Sequence, residues 1–141
     1  MVRRIDKDTA AAFLRVNHDF GDASCRYRYG LFTVRTTGRS ESVIEAGTLV
    51  AVAEFSSGRR MRDGSRSYEW VRYASLRDLR VVGGMGKLLG AFAEAVHPDD
   101  VMTYADASRS DGAAYRVLGF SGEGRVELPG GNASLKFRKR F

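Results

Sequence analysis

Hydrophobic positions near the start of the chain recur at helical spacing. Ala11, Ala12, Phe13, Leu14 and Val16 sit among polar neighbours, which predicts a short amphipathic helix over residues 8–18, capped by Asp8 or Thr9. After a glycine-containing loop at Gly21 the period shortens. Residues 27–35 and 46–55 are rich in aromatic and β-branched side chains, and they predict an antiparallel pair of strands joined by a polar turn over 36–45. A basic loop, 56–66, then leads into a third strand, 67–75. Its alternation puts Tyr68, Trp70 and Arg72 on one face and Glu69, Val71 and Tyr73 on the other.

The pattern changes at Val81-Val82-Gly83-Gly84-Met85-Gly86-Lys87, where a glycine turn feeds a helix carrying Leu88, Leu89, Phe92, Ala93 and Val96 on its apolar side and stopped by His97-Pro98. A short strand over 101–105 follows. Ser110 or Asp111 is placed to cap a helix through Leu118, with Gly119 ending it. Two strands, 120–128 and 134–141, flank the turn cluster Pro129-Gly130-Gly131-Asn132 and read as a hairpin.

The glycine turn is the first candidate for chemistry. Backbone N–H groups in the first turn of a helix lack internal partners and point along the helix dipole, so they can hold an anion that the backbone lets approach. Gly83, Gly84 and Gly86 carry no side chains to block that approach. Val82 and Met85 complete the turn, and Lys87 adds a positive charge at the same end. A glycine-rich tight turn before a helix is the plainer reading. The spacing is not that of a Walker loop, and a dinucleotide fingerprint would open a parallel βαβ unit, whereas here three meander-like strands come first.

The element order, together with the glycine turn and a second motif, resembles the GNAT acyltransferase superfamily. The second motif is Tyr104-Ala105-Asp106 followed by Gly112-Ala113-Ala114-Tyr115-Arg116-Val117-Leu118-Gly119-Phe120, similar to the superfamily's strand, splayed loop and helix ending in Tyr-x-x-x-Gly-Phe. The resemblance implies an α/β fold of the α+β kind, with a mixed, mostly antiparallel central sheet flanked by helices, as one domain over 1–141. It implies acetyl-CoA or a related acyl-CoA as cofactor, held by the glycine turn. One position departs from the pattern: Val81 stands where the superfamily's phosphate loop usually has Gln or Arg, and Arg80 lies one residue too early.

A narrower resemblance runs from Phe13-Leu14 to Phe120. It is carried by Asn17-His18, Tyr29-Gly30-Leu31-Phe32, Leu49-Val50-Ala51-Val52-Ala53, Tyr68-Glu69-Trp70-Val71-Arg72-Tyr73, the glycine turn and Tyr104-Ala105-Asp106. These look like the phage-associated GNAT-like proteins that include the adenine-modifying enzyme Mom. That likeness implies a phage- or prophage-derived protein acting on nucleic-acid bases. An inactive DNA- or RNA-binding module and a small-molecule amine N-acetyltransferase are the competing functions.

Acyl transfer to an amine needs a group that takes a proton from the nucleophile and one that returns a proton to the leaving thiolate. By the resemblance, Tyr115 occupies the place of the tyrosine beside the cofactor sulfur; core packing is the alternative. Asp106, at the end of a strand, sits where ligands collect in open α/β sheets, or it caps the turn through Ser108 and Ser110. Arg72 fits the Mom-like pattern, and Glu69 points to the opposite face. His18 is either a neutral base or the end of the first helix.

Composition bears on partners and place. The chain has 141 residues, is 43% hydrophobic and carries a net charge of +6; arginine supplies 19 of its 23 basic residues. Arginine's planar fork matches phosphate oxygens, so the bias suggests a nucleotide cofactor, nucleic acid or both, with solvated basic faces as the plainer reading. Arg59, Arg60, Arg62 and Arg66 share one loop and are either DNA contacts or a solvated loop, and Lys136, Arg138, Lys139 and Arg140 form a second basic stretch near the C-terminus, either a contact or an edge strand kept from aggregating. A single cysteine, Cys25, and two histidines, His18 and His97, offer no structural-zinc spacing, so no metal site is expected. Asp6, Lys7 and Asp8 interrupt any leader-like start, and the apolar run over 47–55 is far shorter than the roughly 20 residues of a spanning helix. The expectation is a cytoplasmic protein with no membrane segment.

Overall fold

A computed structural model describes residues 1–36, 43–77, 79 and 81–141. Most of the turn expected over 36–45, and Arg80, lie outside the described residues. Contacts gather the chain into two compact units, residues 1–56 with 72–97 and residues 57–71 with 98–141. The fold is mixed α+β, with a central, mostly antiparallel sheet flanked by helices, as the sequence led us to expect.

In the first unit, β1 (Val2–Arg4) pairs antiparallel with β2 (Tyr27–Phe32), and β2 pairs antiparallel with β3 (Leu49–Phe55). β1 was not legible in the sequence, because three residues are too few to show a period. The second half of β5 (Arg66–Ser75) belongs here too, and Leu76 N–H donates to the Val50 carbonyl just beyond it. From Val50 on, every residue of β3 is buried, as a strand covered on both faces requires. On one face, Val52 and Ala74 pack with Ala10, Phe13 and Leu14 of α1 (Lys7–Asn17). On the other, Phe55 stacks on Phe92 of α2 (Gly84–Val96) at 4.0 Å between ring centres, with Tyr27 and Tyr29 meeting Phe92 edge-on. The cap of α1 is Asp6, earlier than expected: its carboxylate accepts from Thr9 N–H at 2.7 Å.

In the second unit, the first half of β5 pairs parallel with β6 (Asp100–Asp106) over Ser67–Glu69. β6 pairs antiparallel with β8 (Ala133–Arg140), which pairs with β7 (Ser121–Glu127). The expected basic loop over 56–66 is instead a small hairpin, in which β4 (Arg59–Arg60) pairs antiparallel with the start of β5. Two residues are too few to show alternation. Trp70, Tyr115, Phe120 and Phe137 form the aromatic core. α3 (Ala113–Val117) starts after Gly112, the N-cap residue, which lies in the left-handed region; Asp111 Oδ1 still accepts from Ala113 N–H, the first of the helix, at 3.0 Å, while Ser110 forms the turn ahead of it by accepting from Gly112 N–H.

Candidate functional site

The turn before α2 has the geometry of an anion cradle. Gly83 is the cap residue, at φ 73° and ψ 7°, and no side chain caps the helix. Lys87 N–H returns to the Gly83 carbonyl at 3.1 Å. Among the described residues no acceptor is bonded to the N–H groups of Gly84, Met85 and Gly86, the orphan donors of the first turn. Val82, Gly83 and Lys87 are exposed, and the Lys87 ammonium makes no ion pair among the described residues. The glycines act for different reasons. A Cβ at Gly83 would meet nothing within 4 Å, so that glycine supplies the positive φ; a Cβ at Gly84 would stand 2.9 Å from Tyr73 Oη and 3.0 Å from Val81 Cγ1, so that glycine lets α2 pack closely.

The remaining candidates have local partners. His18 is the C-cap of α1, and its Nδ1 accepts from Phe20 N–H at 3.0 Å, which occupies the lone pair a base would use. Arg72 Nε donates to the Gly21 carbonyl at 3.3 Å and its guanidinium lies 6.0 Å from the Phe20 ring centre, so it braces the loop after α1. Asp106 accepts from the Ser108 N–H and hydroxyl at 3.0 and 2.7 Å, with Arg109 at 3.8 Å. The Ser108 bonds hold its carboxyl below the usual range, so it forms the turn and is a poor proton acceptor. Burial among the aromatic rings pushes the Tyr115 phenol up, partly offset by Thr103. His18 and Arg72 belong to the first unit, Asp106 and Tyr115 to the second.

Arg59, Arg60 and Arg62 line one open cavity in the second unit together with Arg138 and Arg140, which belong to the C-terminal basic stretch. Arg66 does not line it; its N–H donates to Asp99.

Sequence reasoning missed Glu54. It is fully buried on β3, directly across from Arg28 of β2, yet the two side chains approach only to 3.6 Å. The carboxylate also faces Asp22 and Cys25, but neither oxygen completes a well-formed hydrogen bond. Burial first, then Asp22, pushes Glu54 up to about 7, and burial likewise pushes the Cys25 thiol up to about 12. The signal was present: an acid inside the otherwise apolar run Leu49–Phe55.

Among the described residues no group of His, Cys, Asp and Glu could hold a metal ion, and no helix is long and apolar enough to cross a membrane. No protein-family model matches the sequence, and no curated protein sequence matches it. Solved structures do match. The NatC complex bound to Gag peptide and CoA contains a chain with a TM-score of 0.72 at 13% identity, covering 100% of this chain and 98% of that one. The NatB acetyltransferase complex bound to CoA and MES gives 0.71 at 11%, with 100% and 99% covered. A ribosomal-protein-alanine N-acetyltransferase from Brucella melitensis gives 0.66 at 14%, with 100% and 99% covered. The chain therefore has the fold of the GNAT acetyltransferases over its whole length.

Proposed function

We propose that the protein is an acyl-CoA-dependent N-acyltransferase. The observation that carries the reading is the set of amides of Gly84, Met85 and Gly86 at the start of α2, which have no acceptor among the described residues and run from buried Gly84 to half-buried Met85 and Gly86, between exposed Gly83 and exposed Lys87, in a chain whose fold is shared with acetyltransferases solved with CoA. These amides and Lys87 suit a pyrophosphate: the donors are already oriented and the charge is complementary. With Val81 in place of a Gln or Arg side chain, the grip rests on backbone donors. A bound acyl-CoA would supply an activated thioester.

The chain's own groups then divide the proton work. Glu54, raised toward neutral pH chiefly by burial and with no well-formed hydrogen bond on either oxygen, is the acid best suited to hold the proton of an attacking amine; being fully buried, it would receive that proton through a relay of intervening groups and not by direct contact. In the second unit, burial pushes the Tyr115 phenol up, so it keeps its proton at neutral pH, as the thiolate-side donor implied by the resemblance must.

Calorimetric titration with acetyl-CoA and CoA tests the cradle. Wild type should bind both, and Lys87→Gln should weaken binding about fivefold to tenfold through lost charge at the helix N-terminus, with unchanged thermal stability because Lys87 is exposed. Absence of binding at millimolar concentration ends the acyltransferase reading.

For the acceptor, the grouped arginines favour a nucleic-acid base, in keeping with the Mom-like resemblance, over a small-molecule amine. Mass spectrometry of nucleosides from cells expressing wild type or Tyr115→Phe checks this: a new base in the first and its loss in the second support it. DNA binding without CoA binding would instead favour an inactive binding module.

A further inference from the structure

The hairpin β4–β5 and strand β8 together build a site that neither basic stretch forms alone. Five arginines, Arg59, Arg60, Arg62, Arg138 and Arg140, line a cavity of about 530 Å³ within the second unit. They divide by function. Arg138 forms the floor: it is tied to the buried carboxylate of Asp100, to the Ser67 hydroxyl and, through Nε at 3.0 Å, to both oxygens of Glu123. The other four form the rim; among the described residues none makes a close ion pair, and Arg140 alone feels a lining carboxylate, Asp63, at longer range.

The carboxylates within reach are already engaged. Asp63 accepts from the Ser65 N–H and hydroxyl at 2.9 and 2.6 Å, and Asp100 and Glu123 hold Arg138. The hairpin is also braced, by Met61 N–H to the Ser65 carbonyl at 2.8 Å and by Arg66 N–H to Asp99 at 2.7 Å. Arg60 lies directly opposite Arg66 in the β4–β5 register. Like charges in that relation destabilise a strand pair. Arg66 lies off the cavity, so its charge adds to the positive field at Arg60 from behind, and an anion placed in the cavity among Arg59, Arg60, Arg62 and Arg140 would offset that field.

We propose that this cavity binds the phosphate backbone of a nucleic-acid strand. Guanidinium forks match phosphate oxygens two at a time, and a solvent-open cavity of this size takes more than one phosphate. Met61, partly exposed beside the hairpin's turn, is the only apolar residue on the lining among the described residues, which disfavours a lipid surface. The proposal does not rest on acyl transfer and is tested without it.

The test is fluorescence anisotropy of labelled single- and double-stranded DNA of about 20 nucleotides, read between about 50 and about 200 mM salt. Wild type should bind with affinity falling steeply with salt. The variant Arg59→Gln/Arg60→Gln/Arg62→Gln/Arg140→Gln should bind at least about tenfold more weakly, with a log–log salt slope shallower by about 0.9 for each phosphate it no longer neutralises. A variant of equal net charge, Arg15→Gln/Arg35→Gln/Arg109→Gln/Arg125→Gln, alters exposed arginines off the cavity and should keep affinity within about twofold to threefold. Circular dichroism confirms that both variants fold. The proposal is overturned by no DNA binding in wild type, by equal losses in the two variants, or by poly-glutamate binding as tightly as DNA.

Discussion

A carboxyl group without access to water ionises reluctantly, and Glu54 shows the consequence for stability. Its unfolded value near 4.5 is raised to about 7 in the folded chain, chiefly by burial. Between those values the folded state binds more protons than the unfolded one, so stability is fully present below about pH 4.5 and falls as pH rises through about 7. At about 1.4 kcal/mol per unit, the loss across that window is up to about 3 kcal/mol. Urea unfolding at a series of pH values should show this fall in wild type and a flatter profile in Glu54→Gln. The slope is the diagnostic, because a buried amide has hydrogen-bonding costs of its own. Equal slopes would mean that Glu54 is ionised in both states and unsuited to take a proton near neutral pH.

At the scale of elements, the turn into α2 separates two roles that the sequence ran together. Gly83 meets no neighbour but sits at positive φ, whereas Gly84 is hemmed in by Tyr73 and Val81. Gly83→Ala should therefore cost about 1–2 kcal/mol by forcing a Cβ into the left-handed region, and Gly83→Asn less, since asparagine tolerates it. Gly84→Val should cost more than either, because branched carbons would start where Tyr73 Oη and Val81 Cγ1 already stand. Thermal denaturation of the three variants gives the order; Gly83→Asn as damaging as Gly84→Val would refute it. The long elements were legible because period and punctuation agreed: α2 between its glycines and His97-Pro98, β2 and β3 as aromatic and β-branched runs, and the β7–β8 hairpin around Pro129 to Asn132. β1 and β4 were not, because strands of three and two residues are defined by their partners and carry no period. Of the candidate site, the glycine turn into α2 could be read from local pattern. The grouping of Arg140 with the hairpin arginines, and of Glu54 with Asp22 and Cys25, depends on segments far apart in the chain and had no local signature.

For the molecule as a whole, β5 decides how cooperatively the chain unfolds. It is one uninterrupted strand of ten residues whose first half belongs to the second unit and whose last half belongs to the first. Each unit has an aromatic centre: Phe92 with Phe55 in the first, and Phe137 in the second, where a Cβ on Gly112 would come within 2.0 Å of the Phe137 ring. Phe92→Ala and Phe137→Ala should each cost about 3–5 kcal/mol, a large part of the total for a domain of this size. Trp70, the single tryptophan, is 2% exposed within the second unit and reports on it, while far-ultraviolet circular dichroism reports on both. Fraying either half of β5 strips hydrogen-bonded neighbours from the residues that continue it, so the two signals should share one urea midpoint in wild type. Phe92→Ala, although seated in the first unit, should then shift the Trp70 transition as far as the dichroism transition. Were the Trp70 midpoint to stay at its wild-type position while the dichroism fell in two steps, the units would fold independently and β5 would be a linker between them.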